Sequence, residues 1–182
     1  MPPDRFRNTN NKNMKTKTLT LNDYNSILDG KDLKVLFVGN NPGYLSQLIQ
    51  FLKKIRTISF NFDTAFDLKE SLQKALSLKP RCIVIDDENL DKVEIEQMLE
   101  DLQKNKDTEN IAVTLIKHDN YKEFYSFNIQ DYLLDKNISG ENLSRSILNA
   151  IKFKRTQRYL YKTYKSSKNQ VKNLISSMSS LK

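Results

Sequence analysis

The 182-residue chain has one cysteine, one histidine, four glycines, four prolines and no tryptophan. A lone cysteine, Cys82, excludes a disulfide framework and a zinc centre built on thiolates, and it fits a reducing compartment. It lies inside an apolar run, where an inert buried thiol is expected rather than a redox sensor. The lone histidine, His118, has no second histidine or cysteine to share a metal and no serine or cysteine motif to form a triad, so it reads as a surface loop residue. No apolar run approaches the roughly 18 residues needed to cross a bilayer, and no basic-then-apolar leader is visible. The expectation is a soluble, cytoplasmic chain without a membrane span. Neither a glycine-rich cofactor loop nor a catalytic constellation is present, so no enzymatic activity is expected.

Charge of one sign is missing from the C-terminal region. No acid follows Glu141, while ten lysines and arginines do. The first 20 residues are also basic, which leaves residues 21–141 net acidic within a chain of formal charge +8. An acidic globule with a basic C-terminal arm is implied, and the two parts call for separate functional readings.

What is present between Leu33 and Asp135 is an alternation of short apolar runs with helical periodicity, the pattern of a parallel sheet wrapped by helices. The strands are "LKVLFV", "TISFNF", "CIVI", "IAVTLI" and "DYLLD". Between the first two, "YLSQLIQFLKKI" puts Leu45, Leu48, Ile49 and Leu52 on one helical face. "DLKESLQKALSL" does the same with Leu68, Leu72, Ala75 and Leu76, and a further helix is expected around Ile95 to Leu102. The stretch "KHDNYKEFYSFNIQ" leaves room for a crossover helix of only about two turns. A last helix should begin at Glu141, and no glycine or proline stops it before Lys182.

Three stretches carry a family resemblance. "VGNNPGYLSQL", "TAFDLKESLQKALSLKPRCIVID" and "DYLLDKNISGENLSRSILNAIKFKR" resemble the first-strand signature, the second helix with third strand, and the fifth strand with final helix of the receiver domain of two-component response regulators. The resemblance spans about Leu33 to Arg155. It implies a flavodoxin-like α/β fold, a five-stranded parallel sheet sandwiched by helices, and places Asp86 at the phospho-accepting aspartate. It also implies what has been lost. The acidic pair that would hold Mg²⁺ aligns with Gly39 and Asn40, the Thr or Ser after the fourth strand with Lys117, and the phosphoryl-binding Lys after the fifth with Asp135. Without the cation, a phosphoryl dianion approaching a carboxylate meets like-charge repulsion. Asp86 is therefore expected to be an inactive acceptor, held in an ion cluster with Lys117 and Asp135, and Asp87 and Glu88 to be solvated loop acids.

The expected organisation is a tail over residues 1–32, largely disordered, a receiver-like domain over 33–155 and a basic amphipathic helical extension over 156–182. Leu143, Ile147, Ala150, Ile151, Tyr161, Tyr164, Val171, Ile175 and Met178 form a heptad series, with Lys154, Gln157 and Lys168 as polar interruptions, and the helix should outrun the domain by several turns. Arg155, Arg158, Lys162, Lys165 and Lys172 form a cationic stripe beside it. The reading that unites these features is a signalling pseudo-receiver that acts by protein–protein contact, with an upstream kinase or regulatory partner and a homodimer formed through the helix. One alternative is a phosphorylatable response regulator using Asp86 with Mg²⁺. Another is a nucleic-acid-associated regulator acting through Arg155, Arg158, Tyr161, Lys162, Tyr164 and Lys165. Finally, "NLISSMSSLK" faintly resembles the start of a sensor-kinase dimerisation helix, with Ser180 where the phospho-accepting His would stand.

Overall fold

The computed structural model describes residues 32–118 and 126–179. The chain runs β1 (Leu33–Val38), α1 (Pro42–Lys53), β2 (Phe60–Ala65), α2 (Leu68–Leu78), β3 (Cys82–Asp86), α3 (Lys92–Lys104), β4 (Ala112–Lys117), β5 (Asp131–Leu134), a 3₁₀ turn (Asp135–Asn137) and α4 (Gly140–Ser179). The strands form one parallel sheet in the order β2-β1-β3-β4-β5. The segment expected to hold a short crossover helix includes residues 119–125, which lie outside the described residues, as do the N-terminal tail and Ser180.

Parallel strands are buried on both faces because the crossover helices cover both, and the sequence follows suit. Leu36, Val38, Ile83, Ile85, Val113 and Leu115 face one side with residues of α2 and α3. Val35, Phe37, Cys82, Val84, Ala112 and Ile116 face the other with Leu45, Leu48 and Leu52 of α1 and Leu143, Ile147, Ala150 and Ile151 of α4. The second strand begins at Phe60 and not at Thr57, and runs on to Ala65. Register explains the shift, since Leu33 pairs with Phe60 and Val38 with Ala65, so a strand started at Thr57 would have no partner on β1 for its first three residues. The buried Cys82 thiol is inert by its surroundings, as burial pushes it up to about 12.

Each helix start satisfies its free N–H groups with a short polar side chain. Asn41 accepts from Tyr44 N at 3.1 Å, Asp67 from Glu70 N at 2.7 Å and Asp91 from Val93 N at 2.7 Å. Glu70 returns the contact by accepting from Phe66 N at 2.8 Å, which closes a reciprocal cap at the start of α2. Among the residues of α4 whose burial is described, the last buried one is Lys154, beyond which 25 further helical residues extend to Ser179, about 37 Å at 1.5 Å per residue. Among the described residues no helix is long and apolar enough to cross a membrane.

Gly140 fixes how α4 enters the fold. A Cβ at this position would sit 2.6 Å from the Phe51 carbonyl oxygen at the end of α1, a backbone atom that cannot swing aside. Gly140→Ala is expected to push α4 off α1 and lower stability by about 1–3 kcal/mol; urea denaturation of the two proteins measures it.

Candidate functional site

The carboxyl ends of the central strands converge on one carboxylate. Asp86 closes β3, is completely buried, and shares its register position with Ile116 of β4. Its Oδ1 lies 2.6 Å from Nε2 of His118, with a weaker contact from Glu88 N at 3.4 Å. Its Oδ2 is buried without a hydrogen-bond partner. Burial raises the carboxyl above its ordinary range, and the imidazole beside it works in the opposite direction.

His118 is held from several sides. Its backbone N–H donates to Asp87 Oδ1 at 3.0 Å, its Nδ1 stands 3.7 Å from Asp135 Oδ2, and its ring meets Tyr44 edge-on with centroids 5.4 Å apart. Tyr44 in turn donates its hydroxyl to Asp135 Oδ1. Burial, and then that carboxylate, raises the phenol above its ordinary value, so it remains a donor. Each ring nitrogen thus faces a carboxylate. A neutral imidazole can donate from one nitrogen only, an imidazolium from both.

The expected cluster of Asp86, Lys117 and Asp135 does not form. Successive residues on a strand face opposite sides, so when Ile116 shares the face of Asp86, Lys117 turns to the other one. Its ammonium lies over the Tyr132 ring, 5.2 Å from the centroid. The next residue, His118, returns to the face of Asp86. It is therefore a central pocket residue and not the surface loop residue expected, being 23% exposed at the side chain. Asp135 does reach the pocket, through Tyr44 and His118 rather than through Lys117. Asp87 is likewise more than a solvated loop acid, since it orients the backbone of His118.

Gly39 packs directly on Asp86. A Cβ at Gly39 would lie 2.9 Å from Asp86 Cβ and 3.2 Å from Oδ2, so the carboxylate occupies the space that a side chain there would need. Asn40 is exposed and its amide donates to the Asn89 carbonyl at 3.4 Å. These residues do not fit Mg²⁺, which asks for an octahedron of oxygens with carboxylate help. Asp86, Asp87 and His118 each offer an atom within 4.8 Å of the others, but that set is two carboxylates and an imidazole, donors of a borderline transition metal.

No protein-family model matches the chain, and the search of curated proteins gives no match. Solved structures do match. The signal receiver domain of an HD domain-containing protein from Pseudomonas fluorescens is 15% identical, with a TM-score of 0.56 over 69% of this chain and 99% of that one. A receiver domain protein (CheY-like) from Methanospirillum hungatei is 14% identical, with a TM-score of 0.53 over 70% and 99%. The fold is that of a response-regulator receiver domain. A receiver-modulated diguanylate cyclase from Pelobacter carbinolicus adds 19% identity and a TM-score of 0.51, with 71% of this chain and 97% of that one covered. Within the receiver fold, the end of β3 is where Asp86 stands.

His118→Ala tests the pocket. It leaves a buried carboxyl without its side-chain partner and is expected to destabilise the domain by about 1–3 kcal/mol near neutral pH. The folded carboxyl is raised, so the folded state binds the proton more tightly than the unfolded chain, and stability falls as pH rises above the ordinary carboxylate range. The His118→Ala penalty should therefore shrink in mild acid, where Asp86 takes up a proton. Combining it with Asp86→Asn should cost much less than the sum of the two single changes in a double-mutant cycle.

Proposed function

We propose that this chain is a signalling module that works by protein–protein contact through a receiver fold whose phosphorylation pocket is closed by a resident aspartate–histidine contact. The observation that carries this reading is the 2.6 Å contact between His118 Nε2 and Asp86 Oδ1. An incoming phosphoryl group would have to displace that imidazole from the attacking oxygen, while the other oxygen is packed against Gly39. No carboxylate stands at Gly39 or Asn40 to recruit Mg²⁺ and offset the charge of the phosphoryl donor. With Asp86 Oδ1 already engaged by His118, the signal carried by the fold is set by what binds it and not by covalent modification.

The second half of the reading concerns α4. Past Lys154 the helix leaves the sheet, and Tyr161, Tyr164, Val171 and Ile175 are exposed by 55–65%. They follow a 3-4 spacing through Lys168, which is a heptad seam. Of the surfaces that could cover such a stripe, an identical helix in a two-fold pair is the simplest. The seam lysine and the flanking Arg155, Arg158, Lys162 and Lys165 repel across that pair, so salt should strengthen the association.

Two measurements test the proposal. Intact mass after exposure to acetyl phosphate with millimolar Mg²⁺ should show no adduct; a gain of one phosphoryl group that disappears in Asp86→Asn would establish a working acceptor instead. Sedimentation at tens of micromolar should show a dimer that tightens with salt, and truncation after Arg155 should give a folded monomer. A full-length chain that stays monomeric in high salt removes the pairing of α4.

A further inference from the structure

At the opposite end of the sheet from Asp86, where β3 and β4 begin, lies a cavity of about 300 Å³. Its walls come from the α2–β3 connection, the α3–β4 connection and the face of α4 just before that helix leaves the domain. That volume is at the lower end for small-molecule sites. Its lining is dominated by one sign of charge, with Lys79, Arg81, Lys154, Arg155 and Arg158 against a single carboxylate, Asp107. Asp107 is already engaged by Lys79 at 3.0 Å, on the exposed rim.

Lys154 is the decisive residue. Helical spacing makes it the continuation of the core stripe that runs through Ile147, Ala150 and Ile151, and Arg158 is the next member. The stripe that packs α4 on the sheet thus changes from apolar to cationic as it reaches the cavity. Only 9% of Lys154 is exposed, and its side chain lines the cavity. Burial lowers its basicity, against a smaller opposing influence from Glu109. Drawing an ammonium into a low-polarity wall is costly, and the guanidinium groups of Arg81 and Arg158 at the same cavity carry charge of the same sign. A polar interruption of a dimer seam would be solvated; this lysine is packed into the domain.

We propose that this cavity binds a small phosphorylated anion carrying at least two phosphoryl charges, with Lys154 as its buried charge partner and Arg81, Arg155 and Arg158 as the guanidinium groups around it. Planar guanidinium forks match phosphate oxygens bidentately, and a buried ammonium supplies a point charge beneath them. An anion of two or more charges matches Lys154, Arg81 and Arg158 together better than a monovalent one. Because the cavity is closed on one side by α4 at the point where the helix leaves the sheet, occupancy would brace the root of the projecting helix against the α2–β3 and α3–β4 connections. The site is independent of the Asp86 pocket and of whether Asp86 accepts phosphate.

The full-length chain is titrated with pyrophosphate, with ADP and with sodium sulfate at constant ionic strength, following the thermal midpoint and equilibrium dialysis. Pyrophosphate or ADP should raise the midpoint in a saturable manner that sulfate does not reproduce. The tighter of the two tells whether the natural ligand is a bare oligophosphate or a nucleotide. Lys154→Met keeps the packed stem and removes the charge. It should raise the midpoint of the free protein and weaken ligand binding at least 10-fold. Arg158→Gln, on an exposed residue that the fold does not depend on, should weaken binding several-fold, while Lys172→Ala, outside the cavity, should leave it unchanged. A linear, non-saturable response to all three anions, or equal binding by wild type, Lys154→Met and Arg158→Gln, overturns the proposal. So does a DNA duplex that binds wild type and Lys154→Met equally when pyrophosphate binds neither, since that would assign the charge to the helix surface.

Discussion

A carboxyl with no exposed surface at the end of a central strand needs a polar partner, and the C-terminal face of this sheet is organised around supplying one. His118 brings its Nε2 to 2.6 Å. Its ring is steadied by Tyr44, which is anchored by Asp135, and its backbone is tied to Asp87. The loops after β1, β3, β4 and β5 and the first turn of α1 thereby become one polar unit. Desolvation makes each member depend on the others, because removing a partner exposes a neighbour to the full cost of being buried and unpaired.

The two ends of the molecule handle buried charge in opposite ways. At the Asp86 end one carboxyl oxygen meets His118 of the same chain at 2.6 Å. At the other end Lys154, Arg81, Arg155 and Arg158 line one cavity with Asp107. The first arrangement favours a fixed structure, and the second is the basis of the anion site proposed above. The α4 helix connects them, since its apolar stripe covers the same sheet face from which Asp86 projects and its cationic continuation lines the cavity.

The architecture was legible in the sequence because apolar runs and helical periodicity are set by burial, which acts on many residues at once. β1, α2 and the position of Asp86 at the end of β3 all follow from it. The site was harder to read because it depends on single-residue alternation. Counting on from Ile116 turns Lys117 away and brings His118 in, but a lone histidine in a polar stretch offered no pattern of its own. Tyr44 was invisible as a site residue, since its role arises only when α1 lies beside the end of β5. Lys154 had a clear signal, a cation on the stripe of Ile147 and Ile151, which was assigned to a helix seam because the cavity joins three segments distant in sequence. Ser180 and the 119–125 segment fall outside the described residues.

Gly39 turns the pocket into a one-way street. Since a Cβ there would stand 2.9 Å from that of Asp86, an acid cannot be installed at position 39 unless β1 and β3 first move apart or Asp86 is first shortened or turned. Adding back the missing carboxylate one residue at a time therefore passes through a strained intermediate in which the strand gives way before any cation is gained. An engineer who wished to rebuild a phosphate switch on this scaffold would have to evict His118, refit the floor of the pocket and replace Gly39 together, because the three positions now share a single volume and none can change its tenant alone.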